Sequence, residues 1–185
     1  AAVCGDCVAF APGQGLVLER LPLSGLRKGR LLEYAECRGF YLEHLTKYAI
    51  RDGATHIATL HLDSFPIRRD WDTELASKLI NSCSFVTLEG INTACLFFHR
   101  DFYLKYKPTY LIADDMRSGK EYWQFQKKFD IDPHSGSGFA FRAYQNGLSW
   151  HCLKKSTWGE EKMQIFGDMI LHLVGIVHVG AVDTH

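Results

Sequence analysis

Apolar positions along this chain change their period several times, and each change marks an element. Over residues 30–51, Leu31, Tyr34, Ala35, Tyr41, Leu42, Leu45, Tyr48 and Ala49 recur at three- and four-residue spacing. That spacing predicts a helix, with Gly53 just past its end as a stop and Gly39 as its weak point. HIATLHLD, residues 56–63, is apolar on both faces and reads as an interior strand. Trp71, Leu75, Ala76, Leu79 and Ile80 form one stripe of a second helix. Asp70 stands at its cap and Asp72 and Glu74 in its first turn, where the helix dipole favours negative charge. SFVTLEGINTACLFFHR alternates as two strands meeting near residues 89–90.

Beyond it, HRDFYLKY and SGKEYWQFQKKF predict short helices, the latter with a basic outer face. GFAFRAYQNG predicts a helix closed by Gly147, and LSWHCLK a strand after it. Residues 7–11 fit a short strand followed by a turn at 12–15. The tail QIFGDMILHLVGIVHVG is too apolar for a surface loop and too short for several elements. Helix, strand, helix, paired strands and helix again point to an α/β fold.

At 185 residues and 46% hydrophobic, the chain fits one well-buried domain spanning 1–185. Its 21 basic and 21 acidic residues balance, so it carries no electrostatic footprint for nucleic acid or for an anionic membrane. The longest apolar candidate for a membrane span, residues 169–179, is short and interrupted by His172 and His178. No basic region precedes the apolar start, so no signal peptide is expected. Six scattered cysteines are too sparse for a disulfide scaffold and fit a reducing, cytoplasmic setting. Cys4 and Cys7 have the spacing of half a zinc site, but no second such pair follows them.

The stretch TLHLDSFPI, residues 59–67, raises the question of chemistry. Pro66 cannot continue a central ladder, so the strand should stop near Asp63. His61 and Asp63 are two apart and point to the same side while the strand lasts. An imidazole and a carboxylate together at a strand's mouth make a partial site for a divalent cation. They also fit a satisfied core histidine beside a turn aspartate, and the spacing does not separate these two readings.

The surroundings add a resemblance. THIATLHLDSFPIRRDWDTELASKL resembles the metal-binding segment of GT-A-fold glycosyltransferases, in particular family-2-like enzymes. There a strand runs into Asp-x-Asp, followed by Phe-Pro and a Trp that opens a helix. Phe65, Pro66 and Trp71 match, Asp63 falls on the second aspartate, and His61 replaces the first. TACLFFHRDFYLKYKP is similar to the strand and helix that follow. HSGSGFAFRAYQNGLSW stands where such enzymes carry Asp-Thr-Gly before a helix, with His134-Ser135-Gly136 in the triplet's place and Asp132 just ahead. FGDMILHLVG is similar to the closing segment, whose histidine supplies another metal contact; His172 is the first choice for it and His178 the second.

The resemblance covers residues 54–180 and implies a GT-A-like domain with a mixed, mostly parallel central sheet flanked by helices. It departs at residues 1–53, which are short for the family's nucleotide-binding opening unit, so part of that unit is expected to be lacking. Glu19, Glu33 and Glu36 occur there without a motif to place them. The implied activity is metal-dependent, inverting transfer of a sugar from a nucleotide-diphosphate donor to an acceptor. His61, Asp63 and His172 would hold Mn²⁺ or Mg²⁺, with Arg68 near the donor's phosphates. Asp132 or His134 would serve as the base, with Asp114 and Asp115 as a competing location. Ser135 to Gly138 would offer backbone N–H groups to an anion, or simply form a turn. Two other functions fit the same residues: a non-catalytic GT-A-like binding protein and a metal-dependent hydrolase.

Overall fold

The computed structural model describes residues 7–10, 34–61, 63–110, 112, 116, 118–131, 136–156 and 162–174. In chain order the elements are β1 (Cys7–Phe10), α1 (Tyr34–Arg51), β2 (His56–His61), β3 (Ser64–Pro66), α2 (Trp71–Lys78), β4 (Cys83–Leu88), β5 (Asn92–His99) and α3 (Arg100–Tyr106). They continue with α4 (Lys120–Phe129), α5 (Ser137–Gln145), β6 (Ser149–Leu153), β7 (Met163–Phe166) and β8 (Ile170–Leu173). The fold is α/β, with a mixed sheet flanked by helices.

The predicted glycine stops close their helices by hydrogen bonding. After α1, Gly53 sits at φ 92 and the Ala54 N–H reaches the Ala49 carbonyl at 3.0 Å. After α5, Gly147 sits at φ 64 and the Leu148 N–H reaches the Ala143 carbonyl at 2.9 Å. Both are Schellman closures, in which a left-handed residue lets the chain satisfy carbonyls that the helix leaves open. At the start of α2 the expected cap is absent. The Asp70 side chain makes no bond to the helix; its carboxylate is held by Arg68 through Nε at 3.0 Å and Nη2 at 2.6 Å.

The main sheet has the order β1-β2-β5-β4-β6. The expectation of a mostly parallel sheet is overturned: β1–β2, β2–β5 and β4–β5 pair antiparallel, and β4–β6 alone is parallel. The cause is local. A turn at Gly90 (φ 78) and Ile91 (φ 59) makes β4 and β5 a hairpin, and a hairpin can only be antiparallel. Because β5 lies between them, β2 and β4 still run in one direction, and β6 runs with them. The tail also differs from expectation. Gly167 and Asp168, at φ 58 and 55, turn the chain so tightly that β7 and β8 fit within residues 163–173. These two strands and β3 form a second, antiparallel sheet in the order β3-β8-β7. Pro66 is accommodated because β3 is an edge strand there.

Alternation along the central strands sends side chains into two cores. One contains Ile57, Phe85, Leu96 and Phe98 with Leu42 of α1 and Phe139 of α5. The other contains Leu60, Val86 and Phe97 with Leu75 of α2 and Phe166 and Ile170 of the small sheet. The small sheet is therefore packed against the main one, which brings β8 within reach of the end of β2.

Two further contacts constrain the helical side. Gly138 lies so close to the preceding segment that a Cβ would meet the Thr109 carbonyl oxygen at 2.0 Å. His56 and His99 face each other across β2 and β5, with ring centroids 4.9 Å apart. His99 also caps α3, its Nδ1 accepting from the Asp101 N–H at 3.2 Å. Burial, reinforced by His99, holds the His56 imidazole below its ordinary value. Burial and then Lys78 do the same for His151.

Gly138→Ala is expected to destabilise the fold by ~2–3 kcal/mol, because a backbone carbonyl cannot move aside as a side chain would; urea unfolding measures this. A loss under ~0.5 kcal/mol would contradict the close approach. The two depressed imidazoles give a pH dependence of definite sign. Below the ordinary value of 6.5 the unfolded chain takes up protons that the folded chain resists. Stability should therefore be complete above that pH and decline as pH falls below it. The urea midpoint at pH 7.5 and 5.5 tests this, and His56→Gln should flatten the decline.

Candidate metal centre

The chain beyond β2 is built to turn. β2 ends at His61, two residues earlier than expected, and Asp63 occupies the turn before β3 begins at Ser64. β3 then pairs antiparallel with β8, setting Ser64 opposite His172, Phe65 opposite Leu171 and Pro66 opposite Ile170. The Leu173 N–H donates to the Asp63 carbonyl at 2.8 Å, so the turn itself is tied to β8. His172 consequently arrives beside Asp63 from a distant part of the sequence.

Three side chains converge there. Asp63 Oδ1 lies 3.9 Å from His61 Nδ1 and 3.7 Å from His172 Nε2. One ligand atom from each residue falls within 4.8 Å of the other two. The imidazole planes are nearly perpendicular, at 78°, with centroids 6.2 Å apart. All three side chains are largely withdrawn from water, with 9%, 14% and 13% exposure for His61, Asp63 and His172.

These separations are too long for hydrogen bonds, which would bring the heavy atoms to ~2.7–3.2 Å. They suit a shared ion. Ligands ~2.1 Å from one cation stand ~3 Å apart at right angles and ~4.2 Å apart when opposed. Asp63 Oδ1 is buried and makes no hydrogen bond among the described residues. No lysine or arginine among the described residues pairs with Asp63 either. A carboxylate oxygen left so costs at least ~1–3 kcal/mol. A divalent cation between the three groups would remove that cost, and two imidazoles with one carboxylate suit such an ion. The residues fit a metal.

His61 is oriented from behind. Its Nε2 lies 3.1 Å from the Oγ1 of Thr93, a buried residue at the start of β5. With Nε2 carrying the proton and donating to Thr93, the lone pair sits on Nδ1, the atom facing Asp63. Thr93 was not visible as a site residue in the sequence. The β2–β5 register, which pairs Leu60 with Cys95, carries β5 past the end of β2 and sets residue 93 one step beyond the position opposite His61.

The other expected site residues separate into two groups. Arg68 lies beyond β3 on the surface, its guanidinium engaged by Asp70. Mutual attraction raises the Arg68 value and lowers that of Asp70, the hydrogen bond being the larger cause in each. To reach a phosphate, Arg68 must exchange that exposed partner for another. Asp132, His134, Asp114, Asp115, His178 and Cys4 lie outside the described residues.

Comparison of the chain with protein-family models, curated proteins and solved structures finds no match. The chemistry of the site therefore rests on its own geometry.

Thr93→Val keeps the shape of the side chain but removes the oxygen that fixes His61. Such supporting partners typically change metal affinity 10–100-fold. Calorimetric titration with MnCl₂ should show a loss in that range; an unchanged Kd would mean that Thr93 does not orient a ligand.

Proposed function

We propose that the chain is a metal-dependent glycosyltransferase of GT-A type, moving a sugar from a nucleotide-diphosphate donor to an acceptor with inversion. The observation that supports this reading is the meeting of His61, Asp63 and His172 at the end of β2. These residues stand at the metal-binding positions that the sequence resemblance implies. β2 and β4 run in the same direction, so their carboxyl ends open on one edge of the main sheet, the edge at which Asp63 follows β2.

In this reading Asp63 supplies the negative charge among the three ligands, and the two neutral imidazoles supply nitrogen donors. A bound Mn²⁺ or Mg²⁺ would act as a Lewis acid that neutralises the diphosphate leaving group. The imidazole donors favour Mn²⁺, because Mg²⁺ prefers an octahedron of oxygens. With its Nε2 donating to Thr93, His61 would present the Nδ1 lone pair to the ion. Burial of all three side chains excludes the water that would otherwise compete for their lone pairs. Asp132 or His134 is the acceptor's base in this assignment, and Arg68 an accessory phosphate contact.

The donor set also favours a second reading. Two histidines and one carboxylate are the ligands of several zinc hydrolases, in which the remaining position holds water. A hydrolase of this kind would need the metal but no nucleotide.

Calorimetry with UDP or GDP, with and without Mn²⁺, separates the readings. Transferase function predicts nucleotide binding strengthened at least ~10-fold by Mn²⁺, more than by Mg²⁺, and abolished by Asp63→Ala. Metal binding without nucleotide binding shifts the assignment to a hydrolase, and nucleotide binding indifferent to metal shifts it to a non-catalytic binding protein. Wild-type nucleotide binding in Asp63→Ala would remove the site altogether.

A further inference from the structure

We propose that Ser64 is a positioning residue of the metal centre, its hydroxyl hydrogen-bonding to an oxygen carried by the ion; this rests on the metal reading above. Ser64 is buried, at 3% exposure, yet its Oγ makes no hydrogen bond among the described residues. An unsatisfied hydroxyl in such a place is unfavourable and rare, and calls for a specific cause. Its position supplies one. Ser64 is paired directly with His172 across β3 and β8, so the two side chains leave the small sheet on the same face, with Cβ atoms typically ~4.5–5.5 Å apart.

The row continues across the sheet to Gln164, which pairs with His172 from β7. The neighbouring row on that face is Pro66, Ile170 and Phe166, two of which are core residues. One polar row, Ser64-His172-Gln164, thus interrupts an otherwise apolar face at the edge where Asp63 stands. Two buried oxygens on adjacent residues, Asp63 Oδ1 and Ser64 Oγ, are both left without a hydrogen bond beside the same imidazole. The protein can satisfy the first with a cation. The second then requires something that comes with the cation: water in the metal-only state, or a phosphate oxygen when a nucleoside diphosphate is bound. A serine hydroxyl can accept from metal-bound water and can donate to a phosphate oxygen.

Ser64→Ala removes the hydroxyl and little volume. In EDTA the variant should melt at or above the wild-type temperature, since it loses only an unsatisfied group. Titrated with MnCl₂ it should bind ~10-fold more weakly, as expected for loss of an outer-sphere partner. A loss with MnCl₂ alone assigns the hydroxyl to water, and a loss appearing only when UDP is present assigns it to phosphate. Unchanged affinity in both titrations overturns the proposal while leaving the metal centre standing. A lower melting temperature in EDTA also overturns it, because Ser64 would then be structural. If the wild-type protein does not bind Mn²⁺, the metal reading falls and this inference with it.

Discussion

The pairing of a three-residue strand with β8 is the constraint on which the site depends. β3 contributes only Ser64, Phe65 and Pro66 to that ladder, yet it fixes where His172 lies. Side chains alternate along a strand, so a slip of one residue would turn His172 to the outer face and put Leu171 or Leu173 beside Asp63. Backbone bonds flank the short ladder and oppose the slip: the Leu173 N–H to the Asp63 carbonyl at 2.8 Å, and the Ile67 N–H to the Met169 carbonyl at 2.8 Å. Ile170 and Phe166, buried on the same face as His172, oppose it more strongly, because a slip would expose them. Packing of the small sheet on the main one therefore sets the position of His172.

Such placement has an energetic cost that the rest of the fold offsets. Buried oxygens without hydrogen bonds destabilise a protein, and two of them lie side by side at residues 63 and 64. Apolar packing surrounds them. Leu60, Leu75, Val86 and Ile170 are all within 3% of complete burial on that side of the main sheet. Each such side chain contributes ~1.5–3 kcal/mol relative to exposure. Arg142 Nε is a further buried atom without a hydrogen bond among the described residues, whereas other polar groups on the helical side are paired. Glu43 accepts from the Tyr103 hydroxyl and the Tyr110 N–H, and Thr46 bonds the Tyr110 hydroxyl at 3.0 Å.

Local patterns carried most of the element assignments. Alternation exposed β4 and β5 and the turn between them, and the glycines at 53 and 147 marked helix ends that the backbone closes as expected. Strand direction was not legible, because a run of buried residues looks the same in a parallel or an antiparallel ladder. The β7–β8 hairpin was hidden because its turn includes Asp168 at positive φ, a geometry that a lone glycine before an aspartate only weakly signals. At the site, the spacing of His61 and Asp63 left a metal pair and a structural pair both open, and His172 came from resemblance. Thr93, which lies against the His61 ring, and Ser64, which pairs with His172, were not legible, since nothing local distinguishes such a threonine or serine from any other in a strand. Their placement exists only in the contacts between strands.

On the glycosyltransferase reading proposed above, a histidine at residue 61 in place of the family's acid has an electrostatic consequence. Two aspartates would neutralise a divalent cation, whereas one aspartate and two neutral imidazoles would leave a net charge of about +1 in a largely buried site. A residual positive charge in low dielectric attracts an anion more strongly than the same charge in water. The diphosphate of a nucleotide sugar has the charge to complement it. In that reading a histidine at residue 61 would weaken the protein's own hold on the metal while strengthening the metal's hold on an anionic ligand. In such a site cation and anion would bind best together, each supplying the charge that the other lacks.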